Sequence, residues 1–194
     1  MTLADSPGSW PVVDSTDLYR DGWVVALRRD RIHPPGDHDE PFERLVVEHP
    51  GAVMVLAVDE RDEIEHVCLI RQYRHAGRAT FVELPAGICD VEGEPPVETA
   101  KRELREEVSL EAAEWTHLVT TYPSVGITSE RQFFYLARGL REVETDYVLE
   151  HEEAHLEVFW APFDELLAAV LEGRVTEGPV AIATLAYAVI QSRT

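Results

Sequence analysis

The sequence is short of positive charge relative to its length. Lys and Arg together number 17 against 37 Asp and Glu, which gives a formal net charge of −20 over 194 residues. Such a balance repels phosphate backbones and anionic membrane surfaces, so we expect no nucleic-acid partner and no membrane partner. A small phosphorylated substrate is compatible with this charge, because screening over about 8 Å leaves local groups in control of a pocket.

The chain also has few cysteines and no long apolar run. Cys68 and Cys89 form no C-x-x-C pair, so they provide neither a disulfide framework nor a zinc site. The longest apolar stretches, near residues 52 and 179, are shorter than the roughly 20 residues that cross a bilayer. The first residues, MTLADSPGSWPVV, lack the basic start and apolar block of a secretory signal, so we expect a cytoplasmic protein.

A hydrophobic content of 45% predicts a globular chain, and its patterns predict an α+β fold. Residues 1–50 read as a small antiparallel β unit with little core, interrupted by the loop HPPGDHDEP. In residues 51–194, GAVMVLAVDE and EHVCLIRQYR predict a hairpin, and TFVELPAG, EWTHLVTTYP, RQFFYLARGL and HLEVFWAP predict further strands of a central mixed sheet. FDELLAAVLEG and PVAIATLAYAVIQ have helical spacing.

Acidic residues are densest in GICDVEGEPPVETAKRELREEVSL, residues 87–110. Pro95 and Pro96 suit the first turn of a helix. At 100° steps, one face of that helix is apolar and carries Val97, Ala100, Leu104 and Val108. A neighbouring face carries Glu103, Glu106 and Glu107.

This acidic face has two interpretations. Like charges on an exposed helix cost only a few tenths of a kcal/mol each, so the face is compatible with plain solvation. If it is partly desolvated, two carboxylates about 5 Å apart repel by roughly 3 kcal/mol, and a divalent cation converts that repulsion into binding. Oxygen ligands of this kind suit Mg²⁺ or Mn²⁺.

The order of residues resembles the signature of the Nudix hydrolases. Gly87, Glu94, the run RELREEV from Arg102 and then Leu110 follow that loop-helix-loop pattern. Six residues separate Gly87 from Glu94 where the family has five, which costs little in a loop. Ser109 replaces the helix-ending glycine, so we expect a strained or rebuilt helix C-terminus. The resemblance implies a Nudix-like α/β/α sandwich with a central mixed β-sheet.

The segment LIRQYRHAGRATFVELPAG, which precedes the signature, resembles that of ADP-ribose pyrophosphatases and related nucleoside diphosphate sugar hydrolases. GITSE at residues 126–130 resembles their following loop, although Ser129 replaces the usual acid. The resemblance implies Mg²⁺-dependent hydrolysis (Mn²⁺ is possible) of ADP-ribose to AMP and ribose 5-phosphate. It also implies a homodimer in which the N-terminal unit is exchanged between subunits.

Position by position, the resemblance implies a metal site and groups that support it. The implied metal ligands are Glu103, Glu106, Glu107 and the carbonyl of Ala86, with Glu106 also beside the reacting groups. Glu94 is implied as a supporting acid, although a glutamate near a helix N-terminus is also stabilised by the helix dipole. Arg102 is implied to orient the carboxylates, or it pairs on the surface with Glu98 or Glu106.

The resemblance also implies groups that bind and activate the substrate. Arg71 and Arg74 are candidates for a diphosphate clamp, since guanidinium donors match phosphate oxygens, or are ordinary surface residues. The other implied residues are Glu83 as partner of a clamp arginine, Trp23 for adenine stacking, and Glu152 or Glu153 as general base. Glu150 is a weaker candidate base, the acidic run is also compatible with a solvated loop, and Trp23 is equally compatible with a core position.

Three rival hypotheses remain open from the sequence. The nearest keeps the chemistry and changes the substrate to another nucleoside diphosphate sugar, a dinucleotide or a diphosphorylated metabolite. A second is a non-catalytic nucleotide sensor, which the full R-E-x-x-E-E set argues against, because a pure binder needs fewer carboxylates. A third is a structural acidic protein that binds neither nucleotide nor Mg²⁺.

Overall fold

In the computed structural model, residues 3–20, 25–36, 40–149 and 153–193 are described. The chain forms two compact units. One comprises Met1–Pro50 with Ser124–Glu130, and the other comprises Gly51–Pro123 with Arg131–Thr194. None of the described helices is long and apolar enough to span a membrane.

The first unit is a three-stranded antiparallel sheet. Its strands are β1 (Val12–Arg20), β2 (Ala26–Ile32) and β3 (Phe42–Glu48), in the order β1-β2-β3. Residues 124–130 join the edge at β3, where the Val47 N–H donates to the Ile127 carbonyl at 2.7 Å. Strand β1 is almost wholly exposed, so this unit buries little apolar surface of its own, as the sequence predicts.

The second unit is built on a seven-stranded sheet. Its strands are β4 (Ala52–Arg61), β5 (Ile64–Arg74), β6 (Ala79–Glu83), β7 (Ala86–Ile88), β8 (Leu110–Thr121), β9 (Gln132–Glu142) and β10 (Glu157–Pro162). The order is β10-β5-β4-β9-β8, with β6 paired to β5 and β7 paired to β4. Strands β4 and β9 run parallel while the β4/β5 and β8/β9 pairs are antiparallel, so the predicted mixed sheet is confirmed.

Helices cover both faces of this sheet. They are α1 (Pro96–Val108), α2 (Phe163–Leu171) and α3 (Gly178–Gln191). Alternate side chains of β4 point to opposite faces: Met54, Leu56 and Val58 pack with α2 and α3 residues, and Val53, Val55 and Ala57 pack with α1 residues. Full burial of each large aliphatic side chain stabilises the fold by about 1.5–3 kcal/mol. The predicted α/β/α sandwich is confirmed.

One predicted element is wrong in detail. TFVELPAG was expected to form a single strand, but it forms β6 and β7 with Leu84 and Pro85 between them. Proline has no N–H for a sheet ladder. The chain therefore stops pairing with β5 after Glu83, and it begins to pair with β4 at Ala86. The Pro85 carbonyl accepts the Val55 N–H at 2.9 Å, which fixes this crossing beside α1.

Helix α1 begins where its prolines predict and ends in an unusual residue. Pro95 is the N-cap, and Ser109 follows the last turn with φ 56° and ψ 38°, in the left-handed region. The Ser109 N–H donates to the Arg105 carbonyl at 3.1 Å, which closes the helix. The serine therefore adopts the conformation that the expected glycine would reach without strain, and the prediction of a strained helix C-terminus is confirmed.

Ser109→Gly is expected to stabilise the protein slightly. Relief of the left-handed strain raises the free energy of unfolding by about 1–2 kcal/mol. The greater freedom of glycine in the unfolded chain lowers it by about 0.4–1 kcal/mol. A net gain of this size raises Tm by roughly 2 °C for a chain of this length. Thermal melts of the two proteins measure the effect, and a lower Tm for the variant would contradict it.

Candidate active site

Helix α1 presents its carboxylates toward the turn between β6 and β7. Ala100, Leu104 and Val108 anchor one face of the helix in the core. Glu107 is turned inward as well and is only 7% exposed, although it is ionisable. The face predicted to be acidic is therefore substantially desolvated, and the interpretation as a plain solvated face does not apply to Glu107.

The Glu107 carboxylate lies against the backbone of β7. The Ala86 N–H donates to Glu107 Oε2 at 2.8 Å. Burial raises the pKa of Glu107 well above its usual range, and the charges of Glu103 and Glu153 raise it further, against lowering by the Ala86 hydrogen bond and by Arg74. Such a carboxylate gains from a nearby cation, since a cation stabilises its ionised form.

Glu103 approaches the same strand so closely that a glycine is required. A Cβ added to Gly87 would lie 2.0 Å from Glu103 Cδ, so an alanine there would displace the carboxylate. Burial is the main cause that raises the pKa of Glu103 to about 7, with further raising by Glu106 and Glu153 and opposition from Arg102. Gly87 of the signature thus provides room for a carboxylate.

Arg102 lies between two of the acidic side chains. Its Nη1 donates to Glu103 Oε1 at 2.7 Å and to Glu106 Oε2 at 3.2 Å. Its Nη2 lies 3.7 Å from Glu94 Oε2, and Glu94 accepts the Thr99 hydroxyl at 2.7 Å. These contacts include the predicted intrahelical pair with Glu106 and also reach Glu103, and the orienting role of Arg102 stays a prediction.

Arg74 and Glu83 form a paired group near these carboxylates. Arg74 Nη2 lies 2.6 Å from Glu83 Oε2, and Arg74 Nε donates to both Glu83 oxygens at 3.0 and 3.1 Å. The Glu83 side chain is 8% exposed, whereas that of Arg74 is 49% exposed. Glu83 therefore holds a guanidinium that keeps an open side toward solvent.

Arg71, the other predicted clamp residue, lies on the opposite face of β5. Residues 71 and 74 are an odd number apart, so their side chains alternate. Arg71 Nη1 donates to Glu157 Oε2 at 2.8 Å, and its guanidinium lies 4.3 Å from the Phe159 ring centre. It lines a cavity of about 140 Å³ together with α2 residues, including Leu166 and Ala169. The structure does not bring Arg71 to the α1 carboxylates.

Two predicted site residues, Trp23 and Glu152, lie outside the described residues, as does Glu150. Glu153 is described and begins a short 3-10 helix, Glu153–His155. Its charge contributes to raising the pKa values of Glu103 and Glu107, after the larger contribution of burial. Among the described residues of this loop, Glu153 thus lies near enough to the α1 carboxylates for its charge to act on them.

The donor set fits a hard divalent ion. Its members are oxygen atoms, two of them belong to carboxylates whose burial raises their pKa, and a cation would offset their repulsion. Within the part of the chain that the structure describes, no three His, Cys, Asp or Glu side chains are placed together closely enough to hold an ion. Arg102 instead supplies the positive charge between Glu103 and Glu106.

The raised pKa of Glu103 predicts how stability depends on pH without metal. The folded-state pKa of about 7 exceeds the ordinary value of 4.5, so the folded state binds protons more tightly. The stabilisation is complete below about pH 4.5 and is lost as pH rises through 7, by roughly 3 kcal/mol for this group. We expect Tm in EDTA to fall between about pH 5 and pH 8.

Glu103→Gln provides the test, because glutamine cannot ionise. The variant should show a flatter dependence of Tm on pH than the parent, and added Mg²⁺ should restore the parent at the alkaline end. Equal slopes for the two proteins in EDTA would contradict the assignment of this pH dependence to Glu103.

A model of the NUDIX domain matches residues 48–180, which is more than half of the chain. The chain belongs to the Nudix family. It is therefore an enzyme of the Nudix hydrolase type, and the family resemblance read from the signature is confirmed.

The Nudix chain matches several relatives over most of its length. It is 43% identical over 169 residues to an ADP-ribose pyrophosphatase of Mycobacterium tuberculosis (strain ATCC 25618 / H37Rv), covering 87% of this chain and 78% of that one. It is 35% identical over 162 residues to an ADP-ribose pyrophosphatase of Bacillus subtilis (strain 168), covering 84% of each. It is 32% identical over 168 residues to a methanol dehydrogenase activator of Bacillus methanolicus, covering 87% of each.

A solved structure supports the Nudix fold. A crystal structure of ADP compounds hydrolase matches 97% of this chain and 97% of that chain with a TM-score of 0.75. The two sequences are 20% identical, so this likeness establishes the fold alone.

Sequence reasoning missed three groups that lie close to the predicted site residues. Asp90 Oδ1 lies 3.6 Å from Arg102 Nη2, and Thr99 is fully buried with its hydroxyl on Glu94. Glu177 caps α3 by accepting the Val180 N–H at 2.8 Å. Burial raises the pKa of Glu177 to about 7, and the charges of Glu83 and Arg74 also act on it. The capping position is readable from the sequence, but its proximity to β5 and β6 is not.

Proposed function

We propose that this Nudix hydrolase cleaves the diphosphate bond of ADP-ribose to give AMP and ribose 5-phosphate, with Mg²⁺ as cofactor. One observation carries the proposal: two desolvated carboxylates, Glu103 and Glu107, lie against the Ala86–Gly87 backbone, and Arg74 acts on the Glu107 charge. The 43% identity to an ADP-ribose pyrophosphatase over most of both chains supports this substrate.

The ion would be held by oxygen atoms of α1 and β7. The proposed ligands are Glu103, Glu106, Glu107 and the Ala86 carbonyl, and Mn²⁺ is an alternative ion. A divalent ion held there supplies neutralisation of the diphosphate charge and makes the attacking water more acidic. The Glu103 and Glu107 carboxylates, which are largely shielded from solvent, would contribute by holding that ion beside the developing negative charge.

The chain's own residues bind and orient the diphosphate. Arg74 offers guanidinium donors on its open side, and Glu83 fixes that guanidinium through three short contacts. Such a fixed, planar donor pair matches two phosphate oxygens. Orientation of the phosphorus for in-line attack is a large part of what such a site supplies. Arg71, on the other face of β5, is not included in this clamp.

A carboxylate of the acidic loop would accept the proton of the attacking water. Glu153 is the described candidate and Glu152 is the alternative. Glu153→Gln is expected to lower kcat by about a hundredfold if Glu153 is the base. Parallel kinetics of Glu152→Gln decide between them, and two variants with parental turnover would exclude both.

The exposed apolar side chains of the first unit support the proposal of a homodimer. They include Val12, Val13, Leu18, Tyr19 and Leu45. Burial of such side chains between two copies would give this small sheet the core it lacks. Light scattering measures the assembly state.

Adenine stacking by Trp23, a cytoplasmic location and the lack of a nucleic-acid or membrane partner remain parts of the proposal.

A substrate panel tests the function directly. Purified protein with Mg²⁺ is incubated with ADP-ribose, other nucleoside diphosphate sugars, NADH and an ADP control, and AMP release is measured. Hydrolysis of ADP-ribose well above the others is the expected result. Preferred hydrolysis of another member would change the substrate and keep the chemistry, whereas nucleotide binding without hydrolysis would favour a sensor.

A further inference from the structure

Arg102 occupies the position between carboxylates that a divalent ion is proposed to use. Its Nη1 contacts Glu103 Oε1 at 2.7 Å and Glu106 Oε2 at 3.2 Å. A carboxylate lone pair that accepts a hydrogen bond from the guanidinium is not free for a cation, and two positive charges repel at that separation. Binding of an ion at these oxygens therefore requires Arg102 to give up part of its present hydrogen bonding.

Two other nitrogens of the Arg102 guanidinium are available as hydrogen-bond donors. Nε and Nη2 are buried and, among the residues described, have no hydrogen-bond partner. Buried guanidinium donors normally find acceptors, because an unpaired one loses its hydration without compensation. The Arg102 guanidinium thus donates hydrogen bonds through Nη1 toward Glu103 and Glu106, whereas its Nε and Nη2 donors on the other side lack partners among the described residues.

Acceptors lie on the unsatisfied side, slightly too far away. Asp90 Oδ1 and Glu94 Oε2 are 3.6 and 3.7 Å from Arg102 Nη2, just beyond hydrogen-bond range. Glu94 is held in place by the Thr99 hydroxyl at 2.7 Å, and Thr99 is fully buried in the first turn of α1. A shift of the guanidinium by less than about 1 Å would turn both contacts into hydrogen bonds.

We propose that Arg102 exchanges partners when the ion binds, releasing Glu103 and Glu106 and pairing with Asp90 and Glu94. Asp90 and Thr99 are then positioning residues: Asp90 receives the displaced guanidinium, and Thr99 keeps Glu94 ready to receive it. Asp90 lies in the Ile88–Gly93 segment, which is one residue longer than the family pattern. This inference rests on the proposed ion site of α1.

Asp90→Ala is the decisive variant, and Glu92→Ala is its matched control. Glu92 is exposed in the same loop, so its removal changes the net charge equally. Mn²⁺ alone is titrated into the metal-free proteins, with free Mn²⁺ measured by electron paramagnetic resonance. We expect Asp90→Ala to raise the Kd about tenfold, the effect of losing an outer-shell partner, and Glu92→Ala to change it less than about twofold.

Thermal melting in EDTA separates positioning from ordinary structural support. Arg102 Nη2 and Asp90 form only a long ion pair at 3.6 Å in this structure, so Asp90→Ala should change the Tm in EDTA little while reducing the rise in Tm caused by Mn²⁺. Asp90→Asn retains an acceptor oxygen and should give an intermediate Kd.

The outcomes distinguish this inference from the proposed function. Equal Kd values for Asp90→Ala and Glu92→Ala, or a lower metal-free Tm for Asp90→Ala with the parental Kd, would overturn the exchange and leave the ion site standing. Absence of Mn²⁺ binding by the parent protein would overturn the ion site itself, and the exchange with it.

Discussion

Glu107→Gln is expected to lower kcat by about a thousandfold or more, a loss of roughly 4 kcal/mol of transition-state stabilisation. Glutamine keeps the shape and the oxygen that accepts the Ala86 N–H, but it carries no charge for a divalent ion. The fold should persist, because Glu107 is buried with a raised pKa and its ionised form costs stability without metal. The metal-free Tm at alkaline pH should be unchanged or higher.

Steady-state kinetics, Mn²⁺ titration and melting in EDTA together test this expectation. Glu98→Gln is the matched control, since it makes the same chemical change on the exposed face of α1, where Glu98 pairs with Lys101 at 2.8 Å. The control should keep its turnover within about twofold, as expected for an exposed pair. Parental turnover in Glu107→Gln would reject the role of Glu107 in ion binding.

Arg74→Ala is expected to reduce both stability and activity. Removal of the guanidinium leaves the buried Glu83 carboxylate without its partner, which costs about 3–5 kcal/mol for a fully buried pair and less here, where Arg74 is half exposed. A loss of about 2 kcal/mol would lower Tm by roughly 4–8 °C. The fall in kcat/KM should be larger, about a hundredfold, because the diphosphate loses a charge-assisted contact.

Arg71→Ala supplies the contrast from the other face of the same strand. Arg71 pairs with Glu157, and the two side chains are 44% and 62% exposed, so the pair contributes at most about 1 kcal/mol. We expect kcat/KM within about twofold of the parent and a Tm change of no more than about 4 °C. Equal losses in kcat/KM for the two variants would contradict the division of their roles.

Arg74→Lys separates charge from geometry at this position. Lysine retains the positive charge near Glu83 but lacks the planar donor pair. Much of the stability should return while kcat/KM stays low. Full recovery of kcat/KM would indicate that Arg74 acts only through its charge.

Local pattern determined most of the secondary structure. The prolines and the apolar spacing of α1 are short-range signals, and the helix begins at Pro96 as they predict. The β4–β5 hairpin follows from two apolar segments and a polar turn, where Asp62 and Glu63 have φ 51° and 65°. Local pattern does not predict the division of TFVELPAG, because Pro85 indicates the end of a strand but lies at the crossing between two strands in the fold.

Local pattern also identified the acidic residues of α1 but not their environment. Spacings of three and four residues place Glu103, Glu106 and Glu107 together on any helix, whether exposed or buried. Burial of Glu107 depends on β7 crossing over α1, and the space for Glu103 depends on Gly87 arriving there. These are long-range contacts, and no helical pattern contains them.

The sequence by itself therefore determined the family and most of the helices and strands, because these depend on residue order and short-range periodicity. Tertiary structure alone decided which face of β5 meets α1, and so separated Arg74 from Arg71. It also brought Glu177 near Arg74. It placed Asp90 close to Arg102 and placed the Thr99 hydroxyl on Glu94. Side chains distant in sequence meet only where packing of the whole sheet places them, and that packing is a property of the folded chain.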